Sequence, residues 1–359
     1  MQTMHPVVLR GLTGGSVNAL PPEEFRGRVD ALQALIREAG FVEVAVFGDA
    51  RDYGPLCYVT GYMPMLRWAI CLVPVVGKPS IFIAAPARDT VFTRTLTWID
   101  DVHLASELPE ALEEVSRRGT VALIGGETMR GSIRRLIDPF QRLVDVSEEL
   151  VSAWMSTPRP LEVDLLRAAQ AFTLRTADRA EQELAEGLSI TGALAVAERF
   201  AREEGAHDVR ALYSPDGGKS LRPFETVVDG CPVPQVFYLA VEINGYWGET
   251  FRSAQADADL LDRCNVLLDT AAAELRPGVL IKETVERLAA LPGGVDRHPV
   301  LNERRSVARL GLMIRNISRP GIGGKFVPGI YSLRVGGVKG ANGILVSKVV
   351  EVGLEGVGA

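Results

Sequence analysis

Between Val236 and Ser253 the chain reads VFYLAVEINGYWGETFRS, a strand-like run that ends in several residues able to carry chemistry. A carboxylate such as Glu249 can serve as a general base, or as an acid where burial raises its pKa toward neutrality. The competing role for Glu249 is a structural ion pair with Arg252. Tyr238 and Tyr246 can donate hydrogen bonds to a developing oxyanion, or one of them can act as an acid. Their plainer role is packing with a satisfied hydroxyl. Side chains alternate along a strand, so Tyr238, Ala240, Glu242 and Asn244 share one face. That parity lets Glu242 reach the same cavity as Tyr238, or leaves it a solvated strand carboxylate.

Elsewhere the reactive side chains are sparse. The histidines are His5, His103, His207 and His298. His298, in the polar loop DRHPVLNERRS, is the one read as an acid or base; His207 follows a helix end. Lys219 and Ser220 close a DGGKS loop that resembles the end of a phosphate-binding loop only superficially, because no strand with GxxxxGK spacing precedes it. The four cysteines, Cys57, Cys71, Cys231 and Cys264, form no CxxC pair and read as buried free thiols of a reducing cytoplasm.

These residues must be held by ordinary globular architecture. The 359 residues exceed one usual core and predict two domains. Hydrophobic residues make up 47% and charged residues 23%, as in a soluble globular chain. A net charge of -6 argues against a nucleic-acid partner. MQTMHPVVLRG lacks a signal-peptide pattern, and no apolar run approaches membrane-span length. PPEEFRGRVDALQALIREAG has helical spacing, with Pro21 and Pro22 at its start and Gly40 at its stop. FVEVAVFGD reads as a strand, and LCYVTGY, AICLVPVV and PSIFIAAP follow as short β-rich runs. With the helix LPEALEEVSRRG and the strand TVALIGG, residues 1–155 predict an α/β domain.

SAWMSTPRPLEVDLLRAAQAF marks the boundary, and residues 156–359 predict an α+β domain. A long helix starts near Leu161, a second has Thr191 as its cap, and DADLLDRCNVLLDTAAAELRPGV is a third, stopped by Pro277-Gly278. Asn244-Gly245 predicts a hairpin turn. The tail KFVPGIYSLRVGGVKGANGILVSKVVEVG reads as short strands and glycine turns.

Five segments in order, LCYVTGY, TPRPLEVDLLRAA, NGYWGETFR, AELRPGV and KFVPGIYSL, resemble the creatinase, prolidase and aminopeptidase P superfamily over nearly the whole chain. The resemblance implies a creatinase-type N-terminal domain, a pita-bread C-terminal domain and a homodimer. Metallopeptidases of that fold hold two divalent metals with two aspartates, a histidine and two glutamates. Carried over residue by residue, those positions fall on Tyr238, Glu249, Ala308, Arg334 and Ala341, the last beside Asn342. No Asp, Glu or His occurs from Met313 to Lys348. Glu249 alone cannot hold two divalent cations, and Arg334 would put a fixed positive charge where metal should be. No metal site and no cofactor are therefore expected. Creatinase is a precedent for metal-independent hydrolysis through a histidine, but the segment GGKSLRPFETV places Phe224 at that histidine's position.

The resulting expectation is a metal-independent, creatinase-like enzyme acting on a small polar, carboxylate-bearing metabolite. It would hydrolyse a C–N bond or run a related elimination or isomerisation. Glu249, Tyr238, Tyr246 and His298 are the catalytic candidates. Arg334, Arg222, Glu242, Arg252, Phe224 and Asn342 are the substrate-binding candidates, the two arginines Arg334 and Arg222 as a clamp for an anion. A non-catalytic pita-bread module that binds a peptide or protein is the alternative, and a metallopeptidase with a rebuilt site the remote one.

Overall fold

The computed structural model describes residues 20–64, 67–87, 90–137, 139, 142–146, 148–223, 226, 228–291, 294–299, 301, 306–311 and 324–354. The chain divides into two compact units, Met1–Met155 and Ser156–Ala359.

In the first unit, α1 (Pro22–Glu38) begins with proline and the acidic Glu23 and Glu24, and ends near the basic Arg37, as the helix dipole favours. It buries Phe25, Val29, Leu32 and Ile36. Strand β1 (Glu43–Asp49) is buried throughout. The next segment departs from the sequence expectation. GPLCYVT, β-rich by composition, forms α2 (Gly54–Thr60). Proline occupies its first turn, Thr60 Oγ1 donates back to Leu56 O at 2.8 Å, and Gly61 at φ 68° ends it. The Arg28 guanidinium stacks 4.2 Å from the Tyr58 ring, so packing overrides the strand preference of Tyr, Val and Thr.

There follow β2 (Trp68–Pro74), β3 (Ser80–Ile83), α3 (Thr90–Thr93), β4 (Val102–Leu104), α4 (Leu108–Arg118), β5 (Val121–Ile124), α5 (Gly131–Ile137), β6 (Leu143–Asp145) and α6 (Glu148–Met155). The strands form a mixed sheet in the order β4-β3-β2-β1-β5-β6. Phe47, Ile70, Leu72 and Phe82 from the sheet pack on Leu108, Leu112 and Val115 of α4.

The second unit opens with α7 (Pro160–Ala185) and α8 (Ile190–Glu203). Ser189, rather than Thr191, caps α8: its hydroxyl accepts from Gly192 N at 3.2 Å. Thr191 lies inside the helix and ties both ways to the Val228 backbone. Then come β7 (Asp208–Tyr213), β8 (Arg222–Pro223), β9 (Gln235–Ile243) and β10 (Tyr246–Ala254), in the order β10-β9-β7-β8. Asn244 and Gly245, at φ 52° and 84°, make the tight turn between β9 and β10.

Helix α9 (Ala258–Ala273) stops before Pro277-Gly278, and α10 (Ile281–Leu288) follows. Strands β11 (Asp296–Arg297) and β12 (Val307–Arg309) both pair with β13 (Gly329–Lys339), whose other edge pairs with β14 (Asn342–Val352). The tail is thus one long hairpin and not a series of short strands. Gly336 and Gly337 lie within β13 because space is short there. A Cβ at Gly336 would stand 2.6 Å from Ile344 O, and one at Gly337 2.4 Å from Val295 Cγ1.

Each sheet of this unit gives one face to helices. Phe237, Leu239 and Val241 of β9 pack on residues of α7 and α8, including Phe172, Ala180 and Leu194. Leu333, Val335, Ile344 and Val346 pack on residues of α9 and α10. The alternate positions form two inner faces that meet along β10 and β14. The Ser347 hydroxyl accepts from Phe251 N at 2.9 Å, and Ser253 Oγ donates to Leu345 O and accepts from Leu345 N, each at 2.9 Å. Among the described residues no helix is long and apolar enough to cross a membrane.

Candidate functional site

Register fixes what the inner face of the first sheet carries. Trp247 pairs with Glu242, Glu249 with Ala240, and Phe251 with Tyr238. Paired residues share a face, so these six stand in three rows. Gly248 faces the other way, toward α7: a Cβ there would lie 2.4 Å from Thr173 Oγ1 and 2.6 Å from Ala169 O. That close approach lets Gln170 clamp the main chain of Glu249. Its amide nitrogen donates to Glu249 O at 3.1 Å and its amide oxygen accepts from Glu249 N at 3.0 Å.

The Glu249 side chain is fully buried and bonded at both oxygens. Tyr238 Oη donates to Oε2 at 3.0 Å. Arg334, from the inner face of β13, donates from Nε at 2.9 Å and Nη2 at 2.5 Å to Oε1. Tyr238 is 9% exposed and Arg334 8%. Phe251 packs against both, its ring centroid 4.6 Å from that of Tyr238 and 5.4 Å from Arg334 Cζ. Burial, reinforced by the neighbouring Glu249 charge, pushes the Tyr238 phenol well above its ordinary pKa, so it stays a donor.

Glu242 lies on the same face, farther along β9. It is 3% exposed and not solvated. Burial, with Asp208 beside it, raises its pKa to about 8 against the pull of Arg210 and Arg202. Its Oε1 is buried without a hydrogen-bond partner, and so is Trp247 Nε1 across the pair.

Other sequence candidates lie elsewhere. Tyr246 and Arg252 alternate with Glu249 and so point to the helix face. Arg252 pairs with Asp178 of α7 at 3.2 Å, which rules out the pairing with Glu249. Arg222 is exposed on the edge strand β8, in register with Tyr213 and Phe237, on the face opposite Tyr238. The two-arginine clamp is therefore absent: Arg334 is matched to Glu249 and Arg222 faces away.

Asn342 is exposed where β14 begins, far from Arg334, which pairs with Ser347. Ala341 precedes β14, and Ser347 is the β14 residue opposite Arg334. His298 is buried above Gly336, but its Nε2 contacts Gly218 O at 2.5 Å. A carbonyl only accepts, so Nε2 carries the proton. Burial lowers the His298 pKa, opposed by Gly218 and Asp216, and the neutral ring ties a loop to β13. Phe224 lies outside the described residues.

Sequence reasoning missed Trp247, Gln170 and Ser347. The parity that places Trp247 beside Glu249 was legible; the other two contacts depend on tertiary packing.

The groups at the five carried-over positions do not fit a pair of divalent cations. The inner face offers a phenol, a carboxylate already matched by a guanidinium, and the buried Ala308. Among the described residues no group of three or more His, Cys, Asp or Glu is placed to share an ion.

No family model matches the chain, and no curated protein matches it by sequence. Solved structures do. The prolidase from Pyrococcus horikoshii OT3 superposes with a TM-score of 0.71 at 12% identity, covering 91% of this chain and 95% of that one. The X-Pro aminopeptidase from Thermotoga maritima MSB8 gives 0.70 at 17% identity, covering 90% and 94%. Aminopeptidase P from E. coli gives 0.66 at 15% identity, covering 92% of each. The chain thus has the two-domain fold of the prolidases and X-Pro aminopeptidases, an α/β first unit followed by a pita-bread second unit with its two helix-backed sheets.

Proposed function

We propose that this chain is a metal-independent enzyme that moves protons on a small polar metabolite. Hydrolysis of a C–N bond is the favoured reaction, and elimination or isomerisation uses the same groups. The observation that supports it is the Tyr238 hydroxyl held 3.0 Å from a buried carboxylate, Glu249, whose charge is balanced by Arg334. Glu249 is the base, reached when the attacking water, or a substrate C–H in the elimination, takes the place of the Tyr238 hydroxyl on Oε2. In hydrolysis it takes the water proton as the water oxygen bonds to the carbonyl carbon, and returns that proton to the nitrogen as the C–N bond breaks. Tyr238, released, donates to the oxygen on which negative charge develops. Arg334 supplies the positive charge that similar folds obtain from metal. Because Arg334 is already matched, a substrate carboxylate is not required. A cytoplasmic homodimer acting on a free small molecule is part of this reading.

A second reading has its own support: both Glu249 oxygens are bonded within the chain, as in a site that only binds. One experiment separates the two. The full chain is screened by thermal shift against small amides, ureido and guanidino compounds, amino-acid derivatives and X-Pro dipeptides. Stabilising compounds are then followed for turnover by mass spectrometry, with Glu249→Gln alongside. Turnover that falls by about 100-fold or more in the variant supports the enzyme. Ligands bound without turnover support the binding module.

A further inference from the structure

Buried polar groups are almost always paired, and one left alone points to a missing partner. On the inner face of β9 and β10 two such groups are cross-strand neighbours. Glu242 Oε1 and Trp247 Nε1 have no hydrogen-bond partner, although the residues are 3% and 2% exposed. Directly opposed residues bring their Cβ atoms to roughly 5 Å, so the two side chains are neighbours on one face. Trp247 is two residues from Glu249 on the same face, which puts this pair one row from the proposed base.

We propose that Glu242 and Trp247 form a two-donor subsite for a carbonyl oxygen of the ligand, the ligand being an amide, lactam or ureido compound. The indole N–H can only donate. Glu242 is a second donor because it keeps its proton at neutral pH. Among the described residues the charged and titratable groups around it are Asp208 and Arg210 of β7, Arg202 of α8, and His207, whose main-chain N–H donates to Glu242 O at 2.9 Å. Arg202 and Arg210 are each paired with Asp208, at 3.3 and 2.7 Å, and their pull on the Glu242 proton is outweighed by burial and by the Asp208 charge. An anion would meet Asp208, and an ammonium would meet the indole N–H. A neutral carbonyl oxygen, with two lone pairs, satisfies both groups.

This subsite deepens the enzyme reading by naming the substrate class, and it rests on that reading only for where the reaction occurs. The test needs no turnover. The full chain is prepared with 15N-indole tryptophan; Trp68, Trp98 and Trp154 all lie in the first unit and serve as internal controls. The probe is 2-pyrrolidone, with acetate and methylammonium as charged comparisons. The expected result is a saturable shift of the Trp247 signal, assigned with Trp247→Phe, by 2-pyrrolidone alone. Its affinity should fall about ten-fold between pH 7 and pH 9 as Glu242 ionises.

Glu242→Gln, which still donates, should keep the affinity and lose the pH dependence. Glu242→Leu should weaken it by roughly ten-fold or more. An unmoved Trp247 signal, an equal shift with acetate or methylammonium, or loss of binding in a folded Glu242→Gln overturns the proposal. Binding at Trp247 without turnover of any amide keeps this subsite and removes the enzyme reading. Turnover without a Trp247 shift does the reverse.

Discussion

Arg334 and Glu249, 85 residues apart in sequence and on different sheets, form a buried ion pair in which two guanidinium nitrogens hold one carboxylate oxygen. A buried pair contributes little net stability, but breaking it is expensive because one charge is stranded. Arg334→Met should therefore cost about 3–5 kcal/mol. Adding Glu249→Gln should restore part of that loss, leaving the double variant more stable than Arg334→Met alone. Urea denaturation of the wild type, both single variants and the double variant checks this. A single variant as stable as wild type would mean the pair does not form.

Metal binding is the next expectation. With Arg334 at the centre of the inner face, an added cation would have to displace a permanent positive charge. Elemental mass spectrometry after incubation with manganese, iron, cobalt or zinc should find under about a tenth of an equivalent per chain. One or two tightly held equivalents would return the metallopeptidase reading to first place.

The pH dependence of stability follows from Glu242. Its pKa rises from 4.5 to about 8 on folding, so between those values the native state holds a proton that the unfolded chain has lost. Stability should fall as pH rises through that window and show no further loss from this group above about pH 8. Glu43 in the first unit adds the same sign up to about 7, through burial that outweighs Arg118. Glu242→Gln should remove the Glu242 slope, a stabilisation at pH 9 on the order of 5 kcal/mol with little change at pH 4. Denaturation midpoints at pH 4, 7 and 9 decide it.

Gly248 sets the distance between α7 and β10. Gly248→Ala would drive a methyl group into Thr173 and the Ala169 carbonyl. The expected cost is about 1–3 kcal/mol. Because the shift would loosen the Gln170 clamp, hydrogen exchange at the Glu249 amide should quicken. A variant with unchanged exchange would show that α7 does not position the carboxylate.

Local signals made the longer helices α1, α4, α7, α8 and α9 and the central hairpin legible. The proline and acidic start of α1, and the Asn244-Gly245 turn, are sequence-local features that the structure repeats. α2 was not legible, because buried packing around Arg28 outweighs the strand preference of its residues. Within the site, parity along β9 placed Tyr238 and Glu242 on one face. The same rule applied to β10 would have removed Tyr246 and Arg252 and added Trp247. Arg334 could be placed near Glu249 only through a resemblance, since no local pattern links strands so distant in sequence. The orientation of Arg222 needed the register of β8 on β7, which depends on two pairs only.

The join between β10 and β14 gives the ion pair a mechanical meaning. An ordinary ladder locks two strands through fixed main-chain groups, whereas here the bonds run through the hydroxyls of Ser253 and Ser347. A hydroxyl turns about one bond and can re-aim as its neighbour slides. The two sheets therefore meet through side-chain pins, and Arg334 on Glu249 is the strut between them. A molecule that competes for Glu249 would therefore act on a tie between the two sheets and not only on a side chain.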